Sequence, residues 1–194
     1  MSGFGSTVSN CSAFQNTGNG ISTGDGCTVS NCSARLNTGF GISVANGSTV
    51  SNCTAFNNSA DGINTTTGST VADCTVSFNT LNGILCSSSC IIRGNTCASN
   101  GNGAGNGAGI RATSTNNRIE GNNCTLADRG IDVDAPGNII IRNTCSGNTI
   151  NWVIVANNVC GPILDRTAPG SFPVNGNSAV SSLGSTDPNA NFTY

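Results

Sequence analysis

The chain has 194 residues, of which 8% are charged, and its formal net charge is −2. Soluble proteins usually carry about 25% charged residues, so the surface here must consist mostly of uncharged polar groups. The basic residues are all arginines and form no run, which argues against a nucleic-acid partner. No apolar stretch reaches the ~18 residues that a membrane-spanning helix requires, so we expect no membrane span.

From its beginning the chain repeats itself with a period of 21 residues. The Val-x-x-Cys segment Val8–Cys11 recurs three times in that register, and the aliphatic column continues to Ile140. One step is 27 residues long and places a six-residue insertion at 101–106. A Gly-Ile column runs from Gly20–Ile21 to Gly130–Ile131 in the same register. Fixed-period self-similarity of this kind indicates stacked repeats.

A coil of this length is too short for helical repeats, which need about 33 residues or more, and it lacks the leucine-rich pattern. Within one coil, Thr28–Ser30, Ser33–Ala34 and Gly41–Val44 are expected to be β segments with alternate residues pointing inward. Three strands and three turns per coil predict an all-β fold. We expect a single-stranded right-handed parallel β-helix, or solenoid, of about seven 21-residue coils.

The predicted β-helix domain occupies residues 1–160, with the coil register over 6–155. Residues 161–194 are predicted to form an irregular C-terminal tail that either caps the last coil or serves in assembly, for example of a trimer. The tail must cover apolar surface because it carries aromatic residues, namely Phe172, Phe192 and Tyr194. The chain enters the repeat register without a signal peptide or a capping segment, so we expect either a truncated N-terminus or a first coil that a partner covers.

Residues 92–100 and 119–131 follow the Asn-rich pattern I-x-G-N-x-C/I…N-x-x-G-I. In this pattern the chain resembles bacterial parallel β-helix repeat proteins of the pectate-lyase-like superfamily. The resemblance covers about residues 6–155 and implies the fold. It implies no single activity, because that superfamily includes polysaccharide lyases, hydrolases, epimerases, adhesins and proteins without known activity.

One column of the repeat is predicted to be a structural ladder, in which like side chains contact each other along the rod. Its members are Cys11, Cys32, Cys53, Cys74, Asn95, Asn122 and Asn143. A second asparagine column begins at Asn16 and marks a turn where each amide is expected to bond its neighbour's backbone.

The eleven cysteines are odd in number and lie mostly in columns, which argues against a conventional disulfide framework. We expect free thiols that pack as small apolar side chains. One or two cross-coil disulfides, or a bridge between Cys86 and Cys90, are alternatives because stacked strands lie within the Cα range of a disulfide. With no histidine and no C-x-x-C pair, the sequence predicts no metal site among the cysteines.

Acidic residues concentrate only in the later coils. The candidate catalytic residues there are Asp128, Arg129, Asp132 and Asp134. A lyase needs acids that ligate Ca²⁺ and a base that abstracts a proton, so Ca²⁺ is expected only under a lyase interpretation and no other cofactor is expected. A hydrolase needs two carboxylates, nominally Asp128 and Asp132. The structural alternative is an exposed ladder in which Arg111 stacks below Asp132, and Arg93 below Glu120, to separate like charges.

The first coils carry a regular array of outward hydroxyl groups. The candidate binding residues of this array are Thr7, Ser9, Thr28, Ser30, Thr49 and Ser51. The array resembles the Thr-rich faces of ice-binding solenoids, but its regularity ends at Ile91 and Arg93. Threonine is also a favourable exposed strand residue in any sheet.

Taken together, these patterns favour a structural or carbohydrate-interacting module of an exported or surface bacterial protein, without complete catalytic machinery. Polysaccharide is the expected partner, and a secreted or cell-surface location is the expected one. A polysaccharide lyase or hydrolase of the pectate-lyase-like type is the alternative, and an ice-binding solenoid is the third interpretation.

Overall fold

The computed structural model describes residues 3–165 and 186–194. Within those ranges the chain forms 24 short strands and no helix. Each coil contributes one strand to each of three parallel sheets, here called sheets A, B and C. Neighbouring strands of a sheet come from successive coils, so the predicted parallel β-helix of about seven coils is confirmed.

The strands of sheet A, in spatial order, are β1 (Thr7–Ser9), β4 (Thr28–Ser30), β7 (Thr49–Ser51), β10 (Thr70–Ala72), β13 (Ile91–Arg93), β16 (Arg118–Glu120), β19 (Ile139–Ile141) and β22 (Val159–Cys160). Those of sheet B are β2 (Ser12–Phe14), β5 (Ser33–Arg35), β8 (Thr54–Phe56), β11 (Thr75–Ser77), β14 (Thr96–Ala98), β17 (Asn123–Thr125), β20 (Thr144–Ser146), β24 (Asn191–Thr193) and β23 (Ile163–Asp165). Those of sheet C, in chain order, are β3 (Ile21–Ser22), β6 (Ile42–Val44), β9 (Ile63–Thr65), β12 (Ile84–Cys86), β15 (Ala108–Ala112), β18 (Arg129–Val133) and β21 (Ile150–Ile154).

The core consists of columns of small and aliphatic side chains, with one inward residue from each short strand of sheets A and B and two from most strands of sheet C. The pairing register places Val29 on Val50 and Ile92 on Ile119, as the repeat predicts. The inward column of sheet B changes from alanine to cysteine, and pairs Cys97 with Cys124. Because each coil buries its apolar residues only against its neighbours, stability accumulates coil by coil along the rod.

Three columns of residues with positive φ make the corners of the coil. At the corner between sheets A and B, for example, Asn31 and Asn52 have φ angles of 54° and 53°. Asparagine and glycine adopt this left-handed conformation at low cost, whereas most other residues do not. Asn and Gly therefore predominate at two of the three corners, whereas the corner after sheet B also places larger residues such as Leu36 and Phe78 in this conformation.

The predicted structural ladder runs along the corner between sheets A and B. In its cysteine part the backbone N–H of Cys32 donates to Sγ of Cys53 at 3.4 Å. In its asparagine part the N–H and Nδ2 of Asn95 donate to Oδ1 of Asn122 at 3.0 and 2.9 Å. The second asparagine column forms the same bonds at the next corner, where the backbone N–H of Asn58 donates to Oδ1 of Asn79 at 3.0 Å. Each ladder residue thus satisfies the backbone of the coil before it.

The C-terminal strand does not follow the order of the chain. Strand β24 lies between β20 and β23 and is parallel to both. Its Asn191 extends the ladder by one step, because the N–H of Asn143 donates to Oδ1 of Asn191 at 2.9 Å. The domain boundary predicted at residue 160 stays a prediction, as does the choice between a capping and an assembly role for the C-terminal tail. Phe172 of that tail lies outside the described residues.

Candidate functional site

The candidate catalytic residues all lie in the sixth coil, within strand β18 of sheet C or next to its ends. Arg129 begins strand β18, and its Nη1 lies 2.6 Å from Oδ2 of Asp132. From the adjacent strand β15, Nε of Arg111 lies 2.9 Å from Oδ2 of Asp134 and 3.8 Å from Oδ2 of Asp132. Two arginines and two aspartates therefore alternate and cancel each other's charge.

The side chain of Asp132 is buried, although an exposed position was expected. The register that places it over Arg111 is confirmed, but the expectation of an exposed ladder is wrong for this residue, whose side chain is only 1% exposed. The guanidinium groups of Arg111 and Arg129 lie against its carboxylate, and long side chains of this kind cover the groups they contact. Its Oδ1 is buried and has no hydrogen-bond partner within the described part of the chain.

Glu120 forms its ion pair within its own strand and not with the adjacent coil. Its predicted position over Arg93 is confirmed by the register. Its ion pair is nevertheless with Arg118 of its own strand, whose Nη2 lies 2.7 Å from Oε2 of Glu120. The hydrogen bond from Arg118 is the main cause that lowers the pKa of Glu120 below its usual range.

Asp128 is separate from this cluster and has a structural contact of its own. Its Oδ2 accepts the backbone N–H groups of Gly105 and Gly107, each at 3.2 Å. Both glycines belong to or adjoin the insertion at 101–106, so Asp128 fixes that loop to the sixth coil. A carboxylate occupied in this way is poorly placed to act with Asp132 as a hydrolytic pair.

The cluster offers little to a Ca²⁺ ion or to proton abstraction. In the described ranges no group of three or more His, Cys, Asp or Glu residues is arranged to hold a metal. Ca²⁺ takes six to eight oxygen ligands, whereas the carboxylates here face guanidinium groups. The hydrogen bond to Asp132 also raises the pKa of Arg129, which opposes its action as a base.

The hydroxyl array is regular over the first three coils. Thr7, Thr28 and Thr49 stack in register on sheet A, as do the serines at the other end of the same strands. The fourth coil carries Thr70 and Ala72, and the fifth replaces these positions with Ile91 and Arg93. The geometry of the array is as predicted, and its role in binding stays a prediction.

The right-handed β-helix region family matches residues 1–81. The match covers 81 of the 194 residues and identifies a right-handed β-helix region in that part of the chain. Among solved structures the chain is similar to pectate lyase Pel9A, with a TM-score of 0.66 and 20% sequence identity. That match covers 76% of this chain but only 46% of the pectate lyase chain, so the likeness shows the fold alone. No curated protein matches the sequence.

No helix in residues 3–165 or 186–194 of this β-helix is long and apolar enough to cross a membrane.

All eleven cysteines are free thiols, and only Cys11 and Cys160 are exposed. A hydrogen bond from Cys74 is the main cause that lowers the pKa of Cys53 to about 7. Burial raises the pKa of Cys86, so this thiol stays neutral inside the β-helix.

A buried carboxylate that sequence analysis did not single out is Asp61, at the corner that precedes sheet C. Its Oδ1 accepts both the N–H and Nδ2 of Asn82 at 2.8 Å. Burial is the main cause that raises its pKa, and the hydrogen bonds from Asn82 oppose the change. The residue lies in a column that also holds Phe40 and Ala108, so the repeat gave no signal of its burial.

The sequence analysis also missed an exposed apolar surface at the end of sheet B. We call the following residues the apolar ridge: Phe14, Leu36, Phe56, Phe78 and Leu126. The rings of Phe56 and Phe78 lie 5.4 Å apart. Cζ of Arg35 lies 4.5 Å from the ring centroid of Phe14, beside the ridge. The available signal was the recurrence of Phe and Leu just after the inward residue of sheet B, in a chain with only 5% aromatic residues.

Proposed function

We propose that this chain is a structural or carbohydrate-interacting β-helix module of an exported or surface bacterial protein, without complete catalytic machinery of its own. The observation that carries the proposal is the pairing of Asp132 and Asp134 with Arg111 and Arg129, which uses the charges of the candidate catalytic cluster for each other. The rest of the outer surface is mostly uncharged and rich in hydroxyl and amide groups, which hydrogen-bond to polysaccharides without large desolvation costs.

The geometry of the sheets supports binding to an extended polymer. Stacked strands repeat about every 4.8 Å, so an outward column presents equivalent polar groups at equal intervals along the rod. Thr28 and Thr49, for example, occupy the same position in successive coils. A linear polysaccharide also repeats its hydroxyl groups along its axis, and a rigid array loses little conformational entropy when it binds such a chain.

The test is to measure both binding and bond cleavage with a panel of acidic and neutral polysaccharides, with and without Ca²⁺. We expect binding to at least one polysaccharide and no release of new chain ends. Cleavage by the wild type that is lost in Asp132→Asn, with an unchanged circular dichroism spectrum, would contradict the proposal. Absence of binding to every polysaccharide would remove the carbohydrate part and leave a structural module.

A polysaccharide lyase or hydrolase is the second candidate, and one observation favours it. The unpartnered Oδ1 of Asp132 is a strong acceptor in a buried position, and such groups often mark functional sites. For catalysis, the arginines that cover Asp132 would have to move aside when substrate binds. Cleavage activity that depends on Asp132, and that Arg129→Lys or Arg129→Gln changes, would establish this candidate.

The assembly proposal concerns the C-terminal segment. Tyr194 is 57% exposed at the end of strand β24, which leaves an aromatic side chain available to a neighbouring subunit. Association as a trimer through residues 187–194 predicts a mass three times that of one chain. A single-chain mass for the full-length protein at micromolar concentration would contradict it.

A further inference from the structure

The apolar ridge is exposed in a way that the fold does not require. Phe78 is 56% exposed and Leu126 65% exposed, and Phe14, Leu36 and Phe56 are 38–44% exposed. Single exposed apolar residues are common on protein surfaces, but these five lie in two adjacent columns along one edge of the rod. The first four residues along the chain follow one another in successive coils, and Leu126 lies two coils beyond Phe78, since the fifth coil has Ala98 and Ser99 at these positions. A group of exposed apolar residues on one edge is typical of an interaction site.

Three of the ridge residues also carry a backbone cost. Leu36, Phe78 and Leu126 have φ angles of 56°, 58° and 55°, in the left-handed region that bulky side chains avoid. Other coils place Asn57 and Gly147 at this same corner, and these residue types adopt the conformation readily. Apolar side chains here are unfavourable for both hydration and backbone conformation, so their presence points to a function on the surface.

The dimensions of the ridge decide between a second copy of the chain and an extended ligand. From Phe14 to Leu126 the ridge spans five coil steps, or about 24 Å, and two adjacent strand positions make it about 7 Å wide. Its area is therefore roughly 200 Å², far below the ~800 Å² that each partner of a stable protein dimer contributes. The ridge is too narrow for a dimer interface, and its long, thin form fits one extended chain.

The side chains on the ridge indicate the chemistry of that chain. Phe14 and Phe56 occupy the same column two coils apart, and Arg35 lies between them with its guanidinium over the Phe14 ring. Aromatic faces stack against the apolar C–H face of a sugar ring, and the neighbouring Arg35 and Asn57 supply hydrogen-bond donors for its hydroxyl groups.

We infer that the apolar ridge is the platform on which this β-helix binds an extended β-linked neutral glycan, by stacking sugar rings on Phe56 and Phe78. The inference depends on the proposed carbohydrate-interacting function and locates it away from the charged cluster of sheet C. A flat, equatorially substituted sugar presents the broad C–H face that this stacking requires. An axially linked, charged glycan presents less of that face to the rings.

The experiment titrates the full-length protein by calorimetry with cellohexaose, a β-1,4-linked glucose hexamer, and with a hexamer of α-1,4-linked galacturonate. We expect cellohexaose to bind more tightly. Phe78→Asn should weaken that binding about tenfold or more, as removal of a central contact does. The matched control Val159→Asn, which replaces an exposed apolar side chain of strand β22 away from the ridge, should leave it unchanged.

Phe78→Asn separates loss of binding from loss of fold, because asparagine favours the backbone conformation of this corner. Its urea midpoint should equal or exceed that of the wild type. Unchanged cellohexaose binding in Phe78→Asn, or binding of galacturonate alone, would overturn the inference and leave the proposed function standing. Absence of binding to both hexamers and to the wider polysaccharide panel would overturn the inference and the carbohydrate part of the proposed function, and would leave a structural module. A two-chain mass that Phe78→Asn reduces to one would identify a second copy as the occupant and overturn it as well.

Discussion

Asn122 provides a direct test of how the ladder holds successive coils together. Its side chain is buried, and its Oδ1 accepts the N–H and Nδ2 of Asn95 at 3.0 and 2.9 Å. Its Nδ2 donates to the carbonyl oxygen of Ile92 at 2.9 Å and to Oδ1 of Asn143 at 3.0 Å. Asn122→Ala removes all four hydrogen bonds.

The expected cost follows from the groups that lose their partners. The buried N–H of Asn95 loses its acceptor, which costs about 1–3 kcal/mol, and the other lost bonds add about 0.5–1.5 kcal/mol each where no alternative partner exists. Nδ2 of Asn95 keeps its bond to the carbonyl oxygen of Val71, and Oδ1 of Asn143 keeps the backbone N–H of residue 122 as a donor. We therefore expect the free energy of unfolding to fall by a total of about 3 kcal/mol. That loss corresponds to a decrease in Tm of about 6–12 °C for a domain of this size.

The measurement is urea unfolding of the wild type and three variants, followed by circular dichroism. Asn122→Cys should lose only about 1–2 kcal/mol, because a sulfur atom accepts the same N–H in the earlier coils, as Cys53 does from Cys32. Asn64→Ala, on the outer side of sheet C, is the matched control and should stay within about 0.5 kcal/mol of the wild type. If Asn122→Ala unfolds at the same urea concentration as Asn64→Ala, the ladder does not contribute as described.

Three further predictions concern buried groups. Burial raises the pKa of Asp61, so the folded state binds the proton of this carboxyl more tightly than the unfolded state does. The stability that this proton contributes is lost as the pH rises from about 4 through the folded pKa. Asp61→Asn should therefore reduce the fall in urea midpoint between about pH 4 and pH 7, and an identical fall in both proteins would refute this. Of the eleven thiols, Cys11 and Cys160 should react with a thiol reagent in the native protein and the other nine only after denaturation, whereas fewer than eleven in total would indicate a disulfide. Asp128→Ala should increase hydrogen exchange at 101–107, since it removes the acceptor of two loop amides, and unchanged exchange would contradict that role.

The pairing of strands was predictable because in a solenoid each residue contacts its equivalents in the adjacent coils. Once the period was known, the register of Val29 on Val50 and the change from Cys74 to Asn95 in the ladder followed from residue numbers alone. The insertion at 101–106 was visible for the same reason, as a step of 27 residues within a series of 21.

The environment of the charged residues was not predictable to the same degree. The repeat placed Asp132 over Arg111, but the conformations of two long arginine side chains decide whether the carboxylate is exposed. Asp128 and Asp132 are close in sequence, yet one contacts the insertion and the other contacts Arg129. Flexible side chains and inserted loops do not follow the period, so their contacts depend on the folded structure.

The sequence by itself determined the architecture of this protein: three strands per coil, the inward columns and the ladder that joins the coils. These features depend on contacts between equivalent positions, which a periodic sequence specifies directly. Only the tertiary structure decided the burial of Asp61 and Asp132, the position of β24 between β20 and β23, and the exposure of the apolar ridge. Those features depend on contacts between non-equivalent residues, whose distances are set only when the chain has folded.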